Sequence, residues 1–204
     1  MSLRFYFVMV ATIQLSSLVS SPPAAGQNAN PTAWPELSRQ AMVVDTQRKR
    51  VADSVLEHIV QLTDPKQSLE KDAAIRTLGK LRAVNAIPFL LKNIEFAPIF
   101  SDVTVSEPPT RQLFPCVDAL IEIDGLAVPQ ILAALKAAES NRQLRLLAVA
   151  LGGIYRDADL AKYRIQQEFI TGVRDDDSRG IRNLRFAIQF LQSPNSDSWS
   201  LKDR

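Results

Sequence analysis

Asp72-Ala73-Ala74-Ile75-Arg76-Thr77-Leu78-Gly79-Lys80-Leu81, followed shortly by Ala86-Ile87-Pro88-Phe89-Leu90, is the stretch that decides the fold. In its first part Ala74, Ile75, Leu78 and Leu81 fall at i, i+1, i+4 and i+7, the buried stripe of an amphipathic helix. In its second part Ile87, Leu90, Leu91 and Ile94 fall at i, i+3, i+4 and i+7, and Pro88 sits in a first helical turn that does not need its missing N–H. The first stripe returns as Cys116, Val117, Leu120 and Ile123, then as Leu147, Ala148, Leu151 and Ile154. The second returns once, as Val128, Ile131, Leu132 and Leu135 behind Ala127-Val128-Pro129. A two-helix unit recurring every 30 to 40 residues or so cannot bury its apolar faces alone, so its copies must stack.

Working outward, Gln47 to Leu62 carries Ala52, Val55, Leu56 and Ile59 on the second-helix spacing and reads as half a repeat. Asp64-Pro65 supplies an aspartate N-cap and a proline for the helix through Leu81, within which Gly79 permits close approach of a neighbouring backbone. Asn85 is expected to cap the helix from about Ala86 to Ile94. The second unit spans about Arg111 to Ile123 and Leu126 to Ala138. The third runs from Asn141 to Tyr155, turns at Arg156-Asp157 and continues from about Asp159 to Val173, with an irregular stripe of Leu160, Ala161, Ile165, Phe169 and Ile170. A last helix, Ser178 to Gln192, places Leu184, Ile188 and Leu191 on one face but Arg185 beside them, as a water-facing end cap requires.

These residues resemble HEAT repeats, in particular the short bacterial HEAT-like, or phycobilisome-lyase-like, kind. The likeness rests on Asp64-Pro65, the Ala-rich helix ending Leu78-Gly79-Lys80-Leu81, and the Ala86-Ile87-Pro88 entry. The second copy keeps Ala127-Val128-Pro129 but has Glu122-Ile123 in place of Lys80-Leu81, and the third keeps Leu151-Gly152 and loses the proline. The resemblance covers about residues 47–192 and implies an all-α, α-α superhelix: about three helix pairs, a half repeat at the N-terminal end and a capping helix at the other. It implies little about activity, because such arrays mostly bind other proteins and only occasionally act as bilin lyases.

The chain has 204 residues, 46% hydrophobic and 23% charged, with a net charge of +2. Interspersed signs near neutrality argue against a dedicated nucleic-acid or anionic-membrane surface. Met1 to Arg4 form a positive n-region, Phe5 to Val19 an apolar h-region, and Ser20 to Gly26 a run of small residues and prolines. That is the layout of a secretory signal peptide, cleaved after Gly26 or Ala25. An uncleaved anchor is the rival, but it needs roughly 17–25 apolar residues, and Thr12, Gln14, Ser16 and Ser17 interrupt this stretch. The expected organisation is therefore signal 1–26, linker 27–46, repeats 47–192 with an insertion at 95–110, and a disordered tail 193–204. Within the linker, Trp34 starts a short helix or Met42-Val43-Val44 is extended, and the pattern does not choose.

Candidate chemistry is sparse. His58 is the one histidine and Cys116 the one cysteine, so a histidine-based metal site or a Ser-His-Asp triad would rest on His58 alone, zinc is not expected, and no disulfide can form within the chain. His58 reads as a packed or boundary histidine, and Cys116, in register with Ala74 and Leu147, as a small buried hydrophobe. Asp175-Asp176-Asp177 lack EF-hand spacing and sit where they favour the positive end of the last helix, with Arg179, Arg182 and Arg185 a solvated face paired to them. Gly152-Gly153 lacks the rest of a phosphate-cradling motif and reads as helix packing.

The insertion is the feature the repeats do not require. Phe96, Pro98, Ile99, Phe100, Val103 and Val105 put bulky apolar groups into it, and either they fold back over core or they wait for a partner. Phe96 is expected to cover core and Phe100 to be exposed. The expected function is a non-catalytic exported interaction module, monomeric, without cofactor or metal, binding a protein partner through Phe96, Ile99, Phe100, Phe89 and Lys92. No nucleic acid is expected, nor membrane insertion once the signal is removed. The alternative is a HEAT-like lyase or other enzyme handling a small molecule, for which polar side chains must converge in a closed pocket.

Overall fold

The structure is a computed structural model that describes residues 34–62, 64–98, 113–174 and 177–193. All the regular elements among these are helical. The signal-like segment 1–26, Ile99 and Phe100, Asp175 and Asp176, and the tail beyond Ser193 lie outside the described residues. The chain divides into one unit ending at Val43 and a second running from Val44 to Arg204. In the first, the described residues from Trp34 onward are helical, which answers the open question about the linker.

The helices are α1 Trp34–Gln61, α2 Ser68–Lys80, α3 Ile87–Lys92, α4 Pro115–Ile123, α5 Val128–Ala137, α6 Asn141–Tyr155, α7 Ala158–Arg174 and α8 Ser178–Gln192. Short 3-10 turns at Pro65–Gln67, Val84–Ala86 and Asp124–Ala127 lead into α2, α3 and α5. In the second unit α2 packs on α4 and α4 on α6, while α3 packs on α4 and α5. The recurrent stripes are what they bury: Ala74, Ile75 and Leu78 on α2, Cys116, Val117, Leu120 and Ile123 on α4, and Leu147, Ala148 and Leu151 on α6. Ile87 and Leu90 on α3, and Val128, Ile131, Leu132 and Leu135 on α5, complete the same core. Ala52, Val55 and Ile59 of α1 join it.

Gly79 performs the role its position implies. A Cβ there would lie 2.7 Å from Ala119 Cα, so α2 and α4 cross at a separation only hydrogen permits. Arg76 ties the same two helices, its Nε 3.0 Å from Asp72 Oδ1 and its Nη1 3.1 Å from Asp118 Oδ2.

Several entries to helices differ from expectation. Asp64 does cap, its Oδ1 accepting from Lys66 N–H at 2.9 Å, but it caps a 3-10 turn and α2 starts only at Ser68. Asn85 caps nothing: no side chain caps this turn, and Asn85 donates instead to Asp53 Oδ1 on α1. The turn before α7 is held by Arg156 in the left-handed region, φ 53°, and by Asp157 Oδ1 accepting from Asp159 N–H at 2.7 Å.

The last helix packs on three neighbours, α5, α6 and α7, through Leu184, Ala187 and Leu191, while Arg185 stays exposed. Of the expected pairing of its arginines with Asp175-Asp176-Asp177, only the part at Asp177 falls on described residues. Asp177 accepts from Gly180 N–H at 2.8 Å as N-cap, whereas Arg179 Nη2 donates to Ala137 O at 2.6 Å and lies 3.4 Å from Glu139 Oε1. Asn183 Nδ2 donates to Lys136 O at 3.0 Å and Ala138 O at 2.9 Å. Helix α5 has no glycine at its end, so these two side chains satisfy carbonyls that a helix terminus leaves open. Asn183→Ala is accordingly expected to lower unfolding free energy by about 1–3 kcal/mol, measured by urea titration. Arg182→Ala, altering an exposed residue of the same helix, is the control that stays within about 0.5 kcal/mol.

Candidate functional site

The base of the insertion, where α3 ends and the chain leaves the repeat, brings several of the expected residues together. Helix α3 closes with Asn93, whose Nδ2 donates to Phe89 O at 2.9 Å, and the chain then turns through Ile94 and Glu95. Lys71 of α2 reaches across. Its Nζ lies 4.8 Å from the centre of the Phe96 ring, 6.0 Å from that of Phe89 and 3.4 Å from Asn93 Oδ1. The ring faces carry negative potential, so an ammonium over two of them is stabilised electrostatically while its stem covers apolar surface.

Phe96 and Ala97 pack half-buried against the core and Pro98 is buried. Phe89 is half-buried, and Lys92 is exposed on the outer side of α3. The structure thus places Phe89, Phe96 and the outward-facing Lys92 at one corner of the second unit. Ile99 and Phe100 fall beyond the described residues, so the expected contrast between a covering Phe96 and an exposed Phe100 is met at its first member only.

The sequence did not announce what fixes this corner. Glu95 Oε1 accepts from Ser140 Oγ–H at 2.7 Å, and the same Ser140 oxygen accepts from Gln143 N–H at 3.0 Å as N-cap of α6. One hydroxyl therefore starts α6 and moors the insertion. Where the insertion returns, Leu113, Phe114 and Pro115 are buried, and the Arg142 guanidinium stands 5.4 Å from the centre of the Phe114 ring. Arg142 Nε is buried with no hydrogen-bond partner among the described residues, a cost borne next to the mooring point. The bond from Ser140 to Glu95, 45 positions earlier, has no local signature.

The anchored base predicts a stability effect at Phe96. Phe96→Ser removes a half-buried ring and the face beneath Lys71, and is expected to cost about 1.5–3 kcal/mol in a denaturant titration. A midpoint unchanged from wild type would show that the ring contributes nothing to the fold.

The remaining candidates have structural surroundings. His58 is half-buried at the edge of α1, with Nε2 2.9 Å from Glu70 Oε1 of α2. Cys116 is fully buried, and burial pushes its thiol up to about 12, an effect that nearby Lys71 opposes and Asp72 reinforces. A thiol held protonated there is a poor nucleophile. Gly152 and Gly153 sit in packed helix: a Cβ on Gly153 would lie 2.4 Å from Ile121 Cδ1. Among the described residues no three histidine, cysteine, aspartate or glutamate side chains cluster as metal ligands, and no helix is long and apolar enough to cross a membrane.

Comparison with known protein families, with curated proteins and with solved structures gives no match to this chain.

Proposed function

We propose that the chain is an exported, non-catalytic HEAT-like repeat protein whose helix pairs form a short superhelix and which binds another protein at the corner formed by α3 and the insertion. The observation that carries this reading is the mooring of Glu95 and Phe96 by Ser140 and Lys71. Two repeats spend specific contacts on presenting a segment that neither needs for its own stripe. Exposed Lys92 and the rim of Phe89 lie beside that segment, an arrangement suited to a partner that offers an apolar group flanked by acid. Support for a binding role also comes from His58 and Cys116, since the imidazole is hydrogen-bonded to Glu70 of a neighbouring helix and the thiol is buried in the core.

The test is photo-crosslinking from position 88, exposed one turn before Lys92 on the same helix, in the exported fraction, with Lys92→Glu added to the same probe-bearing chain as the paired control. A reproducible protein adduct that disappears with Lys92→Glu, while the melting curve is unchanged, is the expected result. No adduct, together with a small molecule that copurifies with the chain, would replace this reading by the lyase-like one.

A further inference from the structure

The middle of α1 presents a problem the core does not solve. Asp45 to Arg50 are all exposed, and a short helical stretch uncovered round its circumference gains no stability from burial. One turn later the helix becomes two-sided. Ala52, Val55 and Ile59 enter the core, and Asp53, Leu56, Glu57, Val60 and Gln61 line an open depression of about 560 Å³ beside them. Val60 is 62% exposed within it.

At 100° per residue Lys49, Arg50, Asp53, Glu57 and Val60 share one side of α1, away from the core-facing residues. The charge on that side changes sign along the axis: Lys49 and Arg50 come first, then Asp53 and Glu57. The basic turns cannot fold into the depression of their own chain, because both belong to one continuous helix. A second α1 laid antiparallel can supply them. With Arg50 opposite Asp53 of the other copy, Lys49 comes within a turn of Glu57, and each contact occurs twice about the two-fold axis. The stem of Lys49 then lies along Leu56. A parallel arrangement would set like charge against like. Asp53 is already oriented by the amide of Asn85 and keeps a second oxygen for an arginine.

We infer that α1 is a self-association face, and that in place of the single-chain state expected from sequence the protein forms an antiparallel, two-fold homodimer through it. The inference is independent of the function proposed above. A contact along one helix is smaller than the roughly 1,200 Å² of standard interfaces and is built on exposed ion pairs, so the dimer is weak and sensitive to salt.

Sedimentation equilibrium on the full chain tests this. At about 20 mM salt the mass should rise with concentration toward the dimer, and at about 0.5 M it should fall back to the monomer. Lys49→Glu with Arg50→Glu makes this side uniformly acidic, and Asp53→Lys with Glu57→Lys makes it uniformly basic. Each double variant alone should dimerise at least about tenfold more weakly, and an equimolar mixture of the two should form a heterodimer. Circular dichroism melts report whether each variant is folded. The inference is overturned by a wild type that stays monomeric at every concentration, by a dimer indifferent to salt, or by folded variants that fail to associate when mixed. The salt series on the wild type decides alone if a variant does not fold.

Discussion

Leu120→Ala and Leu78→Ala should each lower the free energy of unfolding by about 2–5 kcal/mol, the largest single-site losses expected in this chain. Both side chains are completely buried, on α4 and α2, at equivalent positions of successive stripes. Removing either leaves a void between helices that Gly79 and Ala119 already hold at contact distance, so the walls have little room to collapse. Since α2 packs directly on α4, the double variant should depart from simple additivity. Lys92→Ala, altering an exposed residue, should stay within about 0.5 kcal/mol. Guanidinium titrations of the four proteins check this, and equal losses at all three sites would mean that the buried face has been misassigned.

Alkali should destabilise this protein in part through one thiol. Burial pushes the Cys116 thiol from its ordinary 9.0 up to about 12, whereas in the unfolded chain it ionises normally. Between those values the unfolded state gives up a proton the folded state retains. Stability from this group is therefore complete below about pH 9 and is lost progressively as pH rises toward 12. At about 1.4 kcal/mol per pH unit the loss approaches ~4 kcal/mol over that window. Lysines and tyrosines ionise in the same range, so the quantity to measure is the difference between wild type and Cys116→Ala. Alanine already occupies the equivalent position at Ala74, where it is buried. The variant should begin somewhat less stable and lose less on going from pH 8.5 to 11. Parallel pH profiles for the two proteins would refute a role for the thiol.

The parts of the fold that were legible are those whose residues answer to one buried face. Cys116, Val117, Leu120 and Ile123 could be assigned to the core because a helix of period 3.6 with one apolar side has one place to put them. Tyr155, Ser178 and Gln192 were placed correctly as helix ends for a related reason, since polar or turn-forming residues stop the stripe beside them. The start of α1 was not legible. The helical pattern begins at Gln47, whereas ahead of it Ala41 to Val43, Asp45 and Thr46 are exposed, so there was no stripe to follow, and helicity there is visible only in the backbone. Asn85 misled because an asparagine before a helix is ordinarily a cap, and here a carboxylate on another helix competed for its amide. At the candidate site Phe89, Phe96 and Lys92 stood out as residues beyond the needs of the repeat, but Lys71, Ser140 and Arg142 did not. Their importance comes from contacts across the stack that spacing along the chain does not encode.

The carbonyls at the end of α5 wait for donors more than forty positions downstream, Arg179 and Asn183. A ribosome delivers this chain from its N-terminus, so until those residues emerge the end of α5 has only water for its acceptors, and α5, α6 and α7 lack the helix that packs on all three. The assembly is therefore completed from its far end, by the last element to be made.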